Sequence, residues 1–329
     1  MLKDLKEVYS NFNSLENEEI TLQGWVRNHR KQKEIGFIDF NDGTSFKGAQ
    51  LVYDNSLADF DDIQKLHIGS AITVTGKLVK SLREEQLFEI VVKSIKLEGD
   101  CPEDYPIQPK RHTREFLREQ AYLRPRTNLF SAVFRVRSVA AMAIHEYFQN
   151  NGYVYAHTPL ITTTDCEGSD QMFKITTLDF DNIPLNKDGK ADMTKDLFSK
   201  KAYVTGTGQL HGEAFAMAFK KIYTFGPTFR TENSNTKTHA NEFWMIEPEI
   251  AFCDLEGLMN VEEDMLKYIV NYVLEKCPTE IEFFDKFVSP GLLDRLNNVI
   301  NSDFGRISYT DAIKELEKNN DKFEFPVSW

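Results

Sequence analysis

The chain has 329 residues, enough for two domains that each bury a core. Its 41% hydrophobic and 27% charged residues describe an ordinary globular protein and exclude a disordered or membrane-embedded class: no apolar run approaches a bilayer span, and the opening MLKDLKEVYS lacks the apolar centre of a signal peptide. A net charge of −12 counts against a nonspecific nucleic-acid binder, so any such role must rest on a local basic patch.

From Ile20 to Leu97 the chain reads as a small all-β unit. ITLQGWV alternates, GFIDF is short and apolar, and FKGAQLVYD follows the turn signal Asn41-Asp42-Gly43. A helix-like span, SLADFDDIQKLHIG, then precedes AITVTGKLV and LFEIVVKSIKL. Three strands, a helix and two strands is the order of an OB-fold, a five-stranded barrel that often binds oligonucleotides. WVRNHRKQK (Trp25 to Lys33) supplies a basic patch within it, which taken alone reads as a solvated loop.

Cys101 to Lys110 holds three prolines and no sustained periodicity, the mark of a linker, and RHTREFLREQAYLRPRT continues as a charged, partly helical connection. The expected division is a barrel over 1–100, a hinge over 101–125 and a second domain over 126–329. That domain opens on an amphipathic helix, Asn128 to Asn150, with Leu129, Val133, Val136, Ala140, Ile144 and Tyr147 at helical spacing. Asn151-Gly152 ends it, and YVYAHTPLIT is expected to continue as a strand. Four cysteines, Cys101, Cys166, Cys253 and Cys277, lie far apart with no C-x-x-C pair, which argues against a zinc site and fits reduced thiols in a cytoplasmic protein.

The densest signal is Phe225 to Phe252. KIYTFGPTFR and EFWMIEPEIAF read as the two arms of a long antiparallel hairpin with period-two alternation, joined by a polar loop. A structural hairpin rarely needs so many hydrogen-bonding groups. Phosphate clamping by Arg230, recognition of an exocyclic amine by Glu232 and stacking by Phe243 account for them. The order F-R-x-E, polar loop, E-F resembles motif 2 of class II aminoacyl-tRNA synthetases, and TENSNT…EFWMIEPEIAF is similar to the asparaginyl members of that family.

The resemblance implies an α+β protein: an anticodon-binding OB barrel followed by an antiparallel-sheet catalytic domain that activates asparagine with ATP and magnesium and passes it to tRNA(Asn). By the same resemblance, Arg230 bridges the α-phosphate and the substrate carboxylate, where a planar fork suits two oxygens better than lysine does. Glu232 accepts from the adenine amino group, Phe243 stacks under adenine, and His239 belongs to the ATP-binding loop. Thr238 stands where the family usually has an arginine for the γ-phosphate; Lys237 beside it offers a point charge instead. Glu167, in DCEGSDQMF, matches the carboxylate that receives the substrate ammonium group, and TGTGQLHGE resembles the amino-acid pocket, with Gln209 near the substrate and Glu213 at the side-chain end. A carboxylate at Glu213 accepts from the carboxamide of asparagine and repels the carboxylate of aspartate, whereas an aspartate pocket should present a lysine that QLHGE lacks. In the barrel, Arg30, Phe37 and Gln50 match positions that face the anticodon; for Phe37 the competing expectation is an inward-facing core side chain. The helix and strand from Asn128 to Pro159 resemble motif 1, which implies a homodimer through that segment.

The resemblance continues through ISYTDAIKELEK and FPVSW and stops at Trp329, before the acidic metal-binding residues and motif 3 of the family. The expectation is a fragment of a longer enzyme, with magnesium ligands beyond Trp329, no metal ligands within the chain and no measurable asparaginyl-adenylate formation by residues 1–329 alone. Rival readings are a synthetase-derived asparagine synthetase, which has no use for an anticodon reader, a nondiscriminating aspartyl enzyme, which Glu213 opposes, and a noncatalytic RNA-binding protein, which has no need of the R-x-E hairpin.

Overall fold

The structure is a computed structural model and describes residues 2–84, 86–164, 172–232 and 239–329. The chain divides into two compact units, Met1–Val139 with Leu274–Leu296, and Ala140–Val273 with Asn297–Trp329.

The first unit begins with two short helices, α1 (Leu5–Ser10) and α2 (Phe12–Leu15), which the sequence pattern did not announce. Strands β1 (Glu19–Lys31), β2 (Ile35–Asn41) and β3 (Ala49–Asp54) follow, then a single turn of helix, α3 (Phe60–Ile63), and strands β4 (Ala71–Lys80) and β5 (Phe88–Gly99). They close into a barrel of order β1-β2-β3-β5-β4, antiparallel except for the β3–β5 closure. Closure explains the sequence pattern: alternate residues point inward, so Ile20, Leu22 and Val26 of β1 meet Ile38 and Phe40 of β2 and Ile72 and Val74 of β4 in one core. Leu5, Val8 and Phe12 join that core, which gives α1 and α2 their role as its cover. Gly36 is required by its neighbour, because a Cβ there would meet the Tyr53 ring at 2.1 Å.

Beyond the barrel lie α4 (Arg114–Glu119), capped by the Thr113 side chain, and α5 (Asn128–Asn150). The prolines of the connecting segment do not leave it loose: Cys101, Tyr105, Ile107, Leu117 and Leu123 form a small buried cluster. The second unit holds strands β6 (Val154–Tyr155), β7 (Ile161–Thr162), β8 (Lys174–Ile175) and β9 (Ala202–Val204), helix α6 (Gln209–Phe219), and the long hairpin β10 (Lys221–Phe229) and β11 (Glu242–Ile250). Helices α7 (Leu255–Lys276), α8 (Pro278–Phe287), α9 (Leu292–Asn301) and α10 (Tyr309–Glu317) complete the chain. Two three-stranded sheets result, β11-β10-β6 and β7-β9-β8.

Two expectations need correction. YVYAHTPLIT is not one strand: β6 pairs parallel with β10 over two residues, and the chain re-enters a sheet only at Ile161. The hairpin does not alternate in burial either. Residues Ile222, Tyr223, Thr224 and Phe225 of β10 are all buried in succession, because both faces of the strand are covered. Tyr223 and Phe225 pack with Ile144, Tyr147 and Phe148 on one face, while Ile222 meets Ala156 and Ala216 on the other. Tyr223 stacks on Phe148 at 4.5 Å between ring centroids, an arrangement that adds about 0.5–1.5 kcal/mol to simple burial.

Candidate functional site

Hairpin register decides which side chains share a face. Ile222 pairs with Glu249, Thr224 with Glu247, Gly226 with Met245 and Thr228 with Phe243, so these eight residues line the face opposite the Tyr223–Phe148 core. Arg230 continues that row by two residues. Its backbone N–H donates to the Asn241 carbonyl at 3.0 Å, and its guanidinium carbon sits 5.6 Å from the Phe243 ring centroid. The arginine and the aromatic ring singled out by sequence are therefore brought together at one end of this face, within cation–π range. Glu232 is half-buried just beyond, and His239 is exposed. Asn241, which sequence reasoning passed over, ties the base of the loop: its side-chain N–H groups donate to the Arg230 carbonyl at 2.8 Å and the Glu232 carbonyl at 3.4 Å. Glu167, Lys237 and Thr238 lie outside the described residues.

Further along the face, the carboxylate of Glu247 is held by three donors. Oε1 accepts from the Thr224 hydroxyl at 2.8 Å and from the Gly208 N–H at 3.1 Å, and Oε2 accepts from the Thr207 hydroxyl. Gly208 is the N-cap of α6 and brings no side-chain cap, so a β11 carboxylate satisfies an amide at the positive end of the helix. Gln209 and Glu213, one helical turn apart on α6, are both exposed. Glu213 approaches Glu249: burial first, and then the neighbouring Glu213 and Glu247 carboxylates, push the Glu249 carboxyl above its ordinary range. Between Arg230 and Glu247 the floor of the face is Gly226, where a Cβ would meet nothing within 4 Å. A cavity of about 140 Å³ opens beside the same strand, lined by Tyr155, His157, Thr224, Gly226, Trp244 and Glu247 among others; Arg230, Gln209, Glu213 and Phe243 do not line it. Glu247 and Thr224 thus share the face of Arg230 and Phe243, a placement that the motif did not reveal, although MIEPE carried the signal of a carboxylate on the same strand face as Phe243.

The barrel carries a second constellation. Phe37 is half-buried on the outer side of β2, between the inward-facing Gly36 and Ile38, so it is not a core side chain. Arg30 pairs with Phe37 across β1–β2 and lies 5.5 Å over its ring. The Arg30 guanidinium donates to Gln50 Oε1 at 2.8 Å, and the Gln50 amide donates onward to Glu89 at 3.2 Å. Arg30, Phe37 and Gln50 therefore meet on one side of the sheet across β1, β2 and β3, with the Gln50 side chain itself buried. Next to it a groove of about 1860 Å³ runs through the first unit, with Arg27, Lys47, Lys110, Arg111, Arg114 and Arg126 among its lining residues. Local positive charge on an acidic chain is the footprint expected of a specific polyanion site.

Among the described residues no group of three or more His, Cys, Asp or Glu side chains is placed to hold a metal ion, and no helix is long and apolar enough to cross a membrane. Cys101 and Cys277 are buried, Cys253 is exposed, and all three are free thiols.

An OB-fold strand order and a motif 2 hairpin define a class of RNA-linked ligases, and comparison with known proteins agrees. Residues 20–98 match the model of the OB-fold nucleic acid binding domain, and residues 113–328 match that of the tRNA synthetases class II (D, K and N). The chain belongs to the class II tRNA synthetases, within the group of asparagine–tRNA ligases. It is 56% identical over 325 residues to the asparagine–tRNA ligase of Alkaliphilus oremlandii and 52% identical to that of Clostridium tetani, in each case over 99% of this chain and 70% of the relative. Among solved structures it resembles the asparaginyl-tRNA synthetase of Pyrococcus horikoshii complexed with asparaginyl-adenylate, with 28% identity and a TM-score of 0.79 over 96% of this chain and 66% of that one.

Proposed function

We propose that this chain serves an asparagine–tRNA ligase: the carboxylate of asparagine attacks the α-phosphorus of ATP, pyrophosphate leaves, and the asparaginyl group passes from the adenylate to tRNA(Asn). The observation that carries the reading is the hairpin face, with Arg230 over Phe243 at one end, Glu247 held by three donors further along, and an open floor at Gly226 between them. On that face Arg230 would bridge the α-phosphate and the amino-acid carboxylate through its planar fork. Adenine would stack on Phe243, with its amino group donating to Glu232, and His239 would stand near the phosphates. Gln209 and Glu167 would receive the amino-acid main chain, and Glu213 or Glu247 its carboxamide. The charge that grows on phosphate oxygens makes positioning and cationic clamping the main source of rate. Magnesium would accompany the triphosphate as its counter-ion, but the described residues supply no cluster for it, and no step here depends on it.

The barrel face of Arg30, Phe37 and Gln50 would read the anticodon, by stacking on Phe37 and by hydrogen bonds from the other two. Its presence favours the ligase over an asparagine synthetase. We place the barrel at 1–100, the connection at 101–125 and the catalytic domain at 126–329, in a cytoplasmic homodimer. Val133, Phe134 and Met142 of α5 and Val154 and Tyr155 of β6 are exposed apolar side chains that a second copy would cover. Asparagine-dependent ATP–pyrophosphate exchange tests the activity in the protein that carries this chain. Arg230→Lys keeps the charge but loses the bidentate fork, and should lower kcat/KM by roughly 10²–10³. Exchange that is absent in the native protein, or indifferent to Arg230→Lys, contradicts the reading.

A further inference from the structure

We propose that Thr224 is a positioning residue for amino-acid selection, acting through Glu247; this deepens the asparagine-activating reading and rests on it. An ionised carboxylate has roughly four acceptor positions and no donor. Two on Oε1 are filled by the Thr224 hydroxyl and the Gly208 N–H, and one on Oε2 by the Thr207 hydroxyl. Among the described residues this leaves one acceptor position on Oε2 for a ligand on the open face. A carboxamide N–H satisfies it, and a second carboxylate is repelled.

Thr224 has little freedom to do anything else. It is 5% exposed, and it packs against α6 so closely that a Cβ on Gly208 would meet both its Cγ2 and its Oγ1 at 3.0 Å, while Cγ2 lies 4.0 Å from the corresponding position of Gly212. A β-branched side chain is stiff at χ1, and here the methyl group is committed to the helix glycines, which aims the hydroxyl at Glu247. Valine fills the same shape without the donor. With one of three restraints gone, the carboxylate is held less firmly by the Gly208 N–H and the Thr207 hydroxyl alone, and the free acceptor position is less sharply aimed.

The test is ATP–pyrophosphate exchange with asparagine and with aspartate, in the native protein and in Thr224→Val, Thr224→Ala and Thr224→Ser, with the KM for ATP measured alongside. Losing one buried charge-assisted hydrogen bond should lower the asparagine-to-aspartate ratio of kcat/KM by about tenfold in the valine variant, with the KM for ATP changed less than about twofold. Serine, which keeps the hydroxyl but lacks the methyl group that aims it, should retain more of the native ratio than valine. If valine does not fold, alanine carries the same measurement. An unmoved ratio in the folded variant, or a serine variant as impaired as valine, overturns the role of Thr224. A native protein without asparagine-dependent exchange overturns the activity reading and this inference with it.

Discussion

Glu213 and Glu247 show how far a residue's meaning depends on its neighbours. Both are carboxylates that a carboxamide could reach, yet Glu213 is exposed on α6 beside Glu249, whereas Glu247 is braced by Thr207, Gly208 and Thr224. If Glu213 reads the substrate side chain, Glu213→Gln should erode discrimination against aspartate by about 1–3 kcal/mol, through lost repulsion and a mispaired amide. Exchange rates with the two amino acids measure it, and an unchanged ratio removes Glu213 from the pocket in favour of Glu247. That Arg230 and Phe243 come together was legible in the sequence because the motif fixes their spacing across a hairpin. The placement of Glu247 and Asn241 was not, since it depends on partners on α6 and across the loop base that no local spacing encodes.

At the scale of elements, alternation made β1, β2 and β4 readable because each has one face in the core and one outside. β10 defeated the same rule by being covered on both faces, and β6 by pairing over two residues. Helices α1 and α2 were missed because four to six residues hold too few apolar positions to show a period, although Leu5, Val8 and Phe12 are buried. Barrel packing also fixes the state of His29 on β1. Its Nδ1–H donates to the Leu66 carbonyl at 3.1 Å, so Nε2 accepts from the Tyr53 hydroxyl at 2.7 Å. Burial holds its pKa below the ordinary 6.5, and the nearby Lys31 charge works in the same direction. The unfolded chain then binds more protons than the folded one as pH falls below 6.5, so stability present above that pH is lost on acidification. Thermal melting at pH 7.5 and pH 5.5 should show a larger drop for the native protein than for His29→Gln, whose amide offers one donor and one acceptor without titrating. Equal drops would place the acid sensitivity elsewhere.

Over the whole molecule, a chain of net charge −12 gathers cations beside Arg30 on the barrel and in the groove lined by Lys110, Arg111 and Arg126, where the proposed function would hold a polyanion. On the proposed reading activation chemistry belongs to the hairpin face of the second unit and anticodon reading to the barrel of the first, so the two activities should separate by mutation. The most direct test measures ATP–pyrophosphate exchange and tRNA charging side by side for Phe37→Ala and Arg230→Lys. Removing the Phe37 ring should weaken charging through the tRNA, by an amount in line with roughly 1–3 kcal/mol per stacked base, and leave exchange nearly intact. Arg230→Lys should depress both. If exchange falls with charging in Phe37→Ala, the ring is a folding residue and the division of labour between barrel and hairpin is wrong.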